Sequence, residues 1–284
     1  MSTKTGEPRS FIEIVVDGAV GWMILNRPER LNAMNVQMLE EFSSALDELT
    51  ANELVRVIVI RGAGRCFSTG YDIERDSREI SEHADIVTDF DRLVQNVDRF
   101  AGLWDCPKPV IVAVHSYCLA GATQLCVFAD ITVVADDAVI GLPKIPVGGG
   151  YITPLWTWLV GPKRAKQMAF TAGSSISGRT AVEWGWANYS VPADELMQNV
   201  EELANNIART PASILRMKKY AVNRIADLQG FRTSISYGAE TDALLHAANA
   251  VKFLSQGIRD HGLKEAIRLF EIGELEPDLL QGEH

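Results

Sequence analysis

Apolar residues recur along this chain with two different periods. Phe11 to Val16, rich in β-branched residues, predicts a strand. Asp17-Gly18 is a hairpin turn signal, with Val20 to Leu25 as the partner strand. Leu39, Phe42, Leu46 and Leu49 then repeat at spacings of three and four behind Asn35, whose side chain suits an N-cap; together they predict an amphipathic helix. Val55 to Ile60 predicts a buried strand. The cycle repeats as a helix over Phe90 to Trp104, a strand Val110 to Val114, a helix around Ala120 to Phe128 and a strand Ile131 to Ala135. Short strands alternating with helices predict an α/β fold with parallel pairing.

The pattern changes after Pro192, beyond which only helical signals occur. Leu196, Val200, Leu203 and Ile207 form one stripe; Ile214, Met217, Ala221, Ile225 and Leu228 form another, opened by Pro211 near its first turn. Leu245, Phe253, Ile258, Leu263 and Ile267 continue in helical register. The expected organisation is an α/β core over residues 1–191 and a helical region over 192–284. The apolar stripes of that region are wider than one short bundle needs, which predicts docking on the core or on another subunit.

With 284 residues, 47% of them hydrophobic and 23% charged, the chain has ordinary globular usage. It is long enough to bury a sizeable core without disulfides or metal. Lys and Arg number 27 against 37 Asp and Glu, a net charge of −10. That balance argues against nucleic acid and anionic membranes as partners. An anionic ligand must then be met by local basic groups or helix N-termini. Cys66, Cys106, Cys118 and Cys126 form no CxxC pair and are expected to be free core thiols. Met1 to Arg9 has no apolar signal region, and Val110 to Val114 is far below the ~18 residues of a membrane span. These features predict a cytoplasmic protein.

Several chemistries are missing. Gly62-Ala-Gly64-Arg-Cys-Phe67 begins like a dinucleotide fingerprint, but Phe67 stands where the third glycine must allow close helix packing. There is no GxxxxGK[ST], HExxH or GxSxG, and the five histidines are scattered, so no metal site is expected. Two segments remain. Arg65-Cys-Phe-Ser-Thr-Gly-Tyr-Asp-Ile73 follows one predicted strand, and His115-Ser-Tyr-Cys-Leu-Ala-Gly-Ala-Thr-Gln-Leu125 follows another. In the second, Ala120-Gly121-Ala122 opens a helix whose first N–H groups are unpaired and partly positive. Two such N–H groups converging on one point make an oxyanion hole. The same residues also suit two tight turns chosen for packing, and spacing alone does not separate the readings.

The order of motifs does. Asn26-Arg-Pro-Glu-Arg-Leu-Asn-Ala33 resembles the NRPxxxNA element of the crotonase superfamily, the enoyl-CoA hydratase/isomerase family. Gly62 to Ile73 resembles its GxGxxFSxGxDI element, and Pro107 to Ile131 its KPVIAAVxGxxxGGGxxLxxxxDI element. Leu159-Val-Gly161 and Ser177-Gly178 through Gly185 are similar to the later helices, so the resemblance spans nearly the whole chain. It implies a spiral of ββα units followed by a helical region that forms a homotrimer or a dimer of trimers. It also implies an acyl-CoA thioester as substrate, with no cofactor beyond the coenzyme A it carries. The thioester oxygen would be held by the N–H groups of Tyr71 and Gly121. Arg30, Leu31, Ala33, Ser68, Gly70, Asp72 and Ile73 would bind the CoA portion, unless Asp72 braces its turn by an Asx contact.

Two departures from the family pattern follow from the same alignment. Hydratases of the family use two glutamates; here Gln124 and Lys144 occupy those positions. Gln124 has no titratable proton and can only position water or a substrate oxygen. Lys144 serves as a base only if burial depresses its pKa, and otherwise is a solvated or phosphate-facing cation. Family members with other acid/base residues act as isomerases, decarboxylases, dehalogenases or C–C hydrolases. Substitute groups are Tyr151, His115, or the acidic stretch of Glu82, His83, Asp85 and Asp89, which is otherwise a solvated helix face. His115 otherwise reads as a hydrogen-bonded structural histidine, and Trp156, Trp158, Trp184 and Trp186 as core packing. Two functions stay open: an enzyme acting through a thioester enolate, including C–C hydrolysis, or a degenerate acyl-CoA binder.

Overall fold

In the computed structural model, which describes residues 3–4, 9–73, 85–149 and 152–275, the predicted strands assemble into one sheet. Antiparallel β1 (Thr3–Lys4), β2 (Ile12–Asp17) and β3 (Val20–Leu25) lead into parallel β4 (Val57–Gly62), β5 (Val110–Val114), β7 (Ile131–Ala135) and β10 (Tyr189–Val191). Val20 pairs with Val57, Ile58 with Val110 and Ile111 with Ile131. Every residue of β5 is buried, as both faces of a central parallel strand require. A second sheet of three short strands, β6 (Tyr117–Leu119), β8 (Val139–Gly141) and β9 (Ser175–Ser177), stands beside it. Three-residue strands carry too little periodicity to be read from sequence.

Helix α1 (Val36–Ala51) starts where Asn35 accepts the Met38 N–H at 2.9 Å, and it buries Leu39, Phe42, Leu46 and Leu49. Helix α2 (Ile86–Asp105) begins four residues before the predicted Phe90. Helix α3 (Ala122–Phe128) is buried at every position. It starts after Ala120, because Ala120 sits at φ +49 and is not helical. Helix α4 (Ile152–Ala169) bends at Gly161, φ 77, before Pro162. A short α5 (Gly178–Trp184) precedes β10.

The helical region consists of α6 (Leu196–Ala208), α7 (Ala212–Leu228), α8 (Phe231–Ala247), α9 (Asn249–His261) and α10 (Leu263–Glu271). Helix α8 docks on the core through Phe231, whose ring lies 4.2 Å from Trp104, 5.3 Å from Trp158 and 6.0 Å from Phe128. Burying such a side chain is worth about 1.5–3 kcal/mol. Helix α7 is turned the other way. Its buried residue is Lys219, whose ammonium donates to the Leu103 carbonyl at 2.8 Å and to Asp130 at 2.7 Å. The predicted stripe of Ile214, Met217, Ile225 and Leu228 faces outward instead of onto the core. All four cysteines are buried and unbridged. Among the described residues, no helix is long and apolar enough to cross a membrane.

Candidate functional site

The two segments singled out by sequence lie side by side. Phe67 N–H donates to His115 O at 3.0 Å, Ser68 N–H to Tyr117 O at 3.0 Å, and Leu119 N–H to Ser68 O at 3.1 Å. This short parallel contact carries the chain past Ser68 to Gly70 and Tyr71, next to the turn that opens α3. Gly70 lies at φ +92, and a Cβ there would stand 2.9 Å from Gly121 N. No carbonyl among the described residues accepts the Gly121 N–H in the hydrogen bonds of this turn, as expected for the start of a helix. Glycine at position 121 is required by contact: a Cβ would be 2.5 Å from Tyr71 Cε2.

Gln124 follows one turn later and is fully buried. Its Oε1 accepts from the Tyr71 hydroxyl at 3.3 Å. Its Nε2 is buried with no partner among the described residues. An orphaned buried donor costs about 1–3 kcal/mol, so it marks a place where an acceptor oxygen is favoured. Neighbouring Thr123 takes the Trp156 indole N–H at 3.1 Å and donates to Ala120 O at 2.8 Å, which pins α4 against the turn. Trp156 packs against Trp186, ring centroids 5.4 Å apart and planes tilted by 40°, and both are buried.

A third segment braces the other two. Pro28–Arg30 forms a 3-10 turn, and Leu31 and Asn32 both follow at φ 53. Asn32 is the hub. Its Nδ2 donates to the carbonyls of Ala63, Cys66 and Phe67 at 2.9, 2.9 and 3.0 Å, and its Oδ1 accepts the Arg27 N–H at 2.9 Å. Met34 N–H donates to Gly70 O at 2.8 Å and Asp72 N–H to Met34 O at 3.0 Å. The αL pair is what turns the chain back so that residues 31–34 run along 68–72.

The remaining predicted residues divide. Arg30 is exposed, while Leu31, Ala33 and Ile73 are partly exposed on the same loops. Ser68 is fully buried; its hydroxyl donates to Asn32 O at 2.8 Å and accepts the Gly70 N–H at 3.2 Å, which ties its side chain into the turn. Asp72 is braced by Arg27 at 2.6 Å. Lys144 is not brought to Gln124. Its ammonium pairs with Glu271 of α10 at 2.9 Å, and the pair is 63% and 49% exposed. A Cβ on Gly173 would stand 3.3 Å from the Lys144 stem. Tyr151, Glu82 and His83 lie outside the described residues. His115 bonds to Gly64 O at 3.0 Å, and burial holds its pKa below the usual histidine value. Asp89 corrects the solvated-face reading: it is 4% exposed and bonded to His246. Arg27 and Asn32 stand in the quoted Asn26–Ala33 motif, but their bonds to Asp72, Ala63, Cys66 and Phe67 span 31 to 45 residues; His246 carries no local signal, because Asp89 lies 157 residues away.

A spiral of parallel strands whose ends bring two backbone N–H segments together, closed by packed helices, defines a protein of the crotonase superfamily. The profile of the enoyl-CoA hydratase/isomerase family matches residues 16–250, and the chain belongs to that family. A short-chain-enoyl-CoA hydratase of Clostridium acetobutylicum is 33% identical over 73% of this chain and 79% of its own. A hydroxycinnamoyl-CoA hydratase-lyase of Pseudomonas fluorescens is 27% identical over 93% of this chain and 94% of its own. The solved enoyl-CoA hydratase/isomerase of Xanthobacter autotrophicus superposes with a TM-score of 0.88 at 31% identity, covering 94% of this chain and 99% of its own.

Proposed function

We infer that this chain is a crotonase-type enzyme acting on acyl-CoA thioesters through an enolate-like intermediate. The N–H groups of Tyr71 and Gly121 receive the thioester oxygen as charge develops on it. Each such donor is worth about 3 kcal/mol toward the transition state. The observation that carries this reading is that the Gly121 N–H and, one turn along the same helix, the buried Gln124 Nε2 are two donors with no acceptor among the described residues. The backbone group suits the carbonyl oxygen, and the amide suits a second oxygen on the acyl group or an attacking water. Arg30 and the 31–33 and 70–73 loops are the groups assigned to the CoA portion. The thioester brings its own coenzyme A, so the reading calls for no further cofactor.

Gln124 and the exposed Lys144 leave no carboxylate at the two glutamate positions of the family's hydratases. Ordinary hydration of crotonyl-CoA is therefore expected to be feeble. The likeness to a hydroxycinnamoyl-CoA hydratase-lyase puts aryl-enoyl thioesters in the test panel, beside enoyl- and β-keto-CoA esters. Turnover of one class supports the enzyme and names its reaction. Tight binding with no turnover favours the catalytically degenerate binder. No binding of any CoA ester defeats both and favours a β-diketone C–C hydrolase without CoA. The outward stripe on α7, with Met217 59%, Ile225 57% and Leu228 68% exposed, supports a homotrimer or dimer of trimers built by the 192–284 region.

A further inference from the structure

A buried charged cluster stands apart from the oxyanion turn. Asp89 on α2, His246 on α8 and Asp242, one turn earlier on α8, are 4%, 9% and 3% exposed. His246 Nδ1 lies 2.7 Å from Asp89 Oδ2, and Nε2 lies 3.8 Å from Asp242 Oδ1. Arg92 donates to the other Asp89 oxygen at 2.7 Å. The same Asp242 Oδ1 accepts the Gly149 N–H at 2.8 Å. The loop is held close on purpose of space: a Cβ on Gly148 would meet His246 Nε2 at 2.7 Å. At its other end, Ile145 and Val147 share an apolar cluster with Ile73, two residues beyond Tyr71. One short segment therefore touches the charged cluster at one end and the flank of the candidate site at the other.

We propose that His246 is a positioning residue for the candidate site: its imidazolium holds Asp242 where that carboxylate anchors the Gly149 amide, and so fixes the 145–149 loop beside Ile73. The proposal rests on the acyl-CoA reading only for the identity of the site it serves. Burial disfavours the imidazolium. The hydrogen bond to Asp89 and the charges of Asp242 and Asp89 outweigh both burial and Arg92, so His246 titrates above its usual value. The groups facing it are Asp85 just before α2, Asp89 and Arg92 on α2, Asp242 from α8 and Lys252 from α9; the 145–149 loop contributes backbone. Asp85, Asp89 and Lys252 line a cavity of about 280 Å³ with His246. When His246 loses its proton, Nδ1–H still serves Asp89, but Nε2 turns a lone pair toward Asp242. Attraction becomes repulsion, and the Gly149 anchor loosens.

Hydrogen–deuterium exchange of the full chain tests this, read on the peptide covering 145–149 from about pH 5 to about pH 9 and corrected for intrinsic rates. Wild type is expected to lose protection about tenfold as pH rises through the His246 titration. His246→Gln should show no step and exchange as fast as high-pH wild type. Asp242→Asn keeps an oxygen for the Gly149 N–H without the charge, so its loop should stay protected at every pH. On whichever thioester proves active, kcat should follow the same step while KM stays flat. If no thioester is turned over, the functional reading fails while the exchange step still decides the role of His246. A flat wild-type profile, or a step that persists in either variant, overturns the proposal.

Discussion

Replacing Gly121 by alanine isolates the contact that shapes the oxyanion turn. The backbone there, φ −54 and ψ −25, is helical, so alanine meets no conformational penalty. Any loss must come from the added methyl. That methyl would stand 2.5 Å from Cε2, 2.6 Å from Cδ2 and 3.1 Å from Cζ of Tyr71. The ring has little room to retreat, because it packs at 6.5 Å from Phe100 and its hydroxyl bonds to Gln124. Overpacking of this kind costs about 1–3 kcal/mol. A displaced oxyanion donor costs a further factor of about 10²–10³ in kcat. Thermal unfolding and steady-state turnover of an active thioester measure the two separately. In a Tyr71→Ala background the methyl has space, so a double-mutant cycle should return a coupling of about 1–3 kcal/mol. Additive effects within about 0.5 kcal/mol, or a Gly121→Ala enzyme with wild-type stability and kcat, would refute the argument.

Asn32→Ala removes one acceptor and donors to three buried carbonyls, and should lower stability by at least about 2 kcal/mol in denaturant unfolding. Lys144→Ala breaks only an exposed pair with Glu271; it should change stability by less than about 1 kcal/mol and leave kcat near wild type. Ile225→Glu on the outward face of α7 should shift a trimer or hexamer toward monomer in sedimentation, with the monomer still folded. Stability should also follow pH through two groups. Asp89 is pushed up by burial, but its bonds to His246 and Arg92 bring it below the usual carboxylate value. Its contribution is present above about pH 4 and lost as pH falls through the lowered value. That of His246 is complete below about pH 6.5 and lost as pH rises through the raised one. Denaturant unfolding should peak between the two windows, and His246→Gln should remove the alkaline loss.

The parallel sheet was legible because Val110 to Val114 is apolar throughout and Ile131 to Ala135 nearly so, as strands buried on both faces are. The oxyanion turn was legible through motif order, since Gly70 and Gly121 sit where close approach leaves no room for a side chain. Helix α7 was legible as a helix but not in its orientation. Its apolar stripe predicts docking on the core or on another subunit; within this chain the stripe faces outward, and the buried residue is Lys219, held by Asp130 and two carbonyls. Lys144 and Ser68 show what position in a motif does not give, the contacts of the side chain itself. The one stands at the surface in a pair with Glu271, and the other bonds to Asn32 O and the Gly70 N–H. The Asp89–His246 pair was invisible because 157 residues separate its members; only the packing of α8 on α2 joins them.

A crystal structure with a CoA thioester bound tests the central claim most directly. The account predicts the thioester oxygen within about 2.7–3.1 Å of both Tyr71 N and Gly121 N, with Gln124 Nε2 donating to an oxygen of the acyl group or to a water beside it. A thioester oxygen turned away from these two nitrogens, or an acyl group seated elsewhere in the chain, would contradict it.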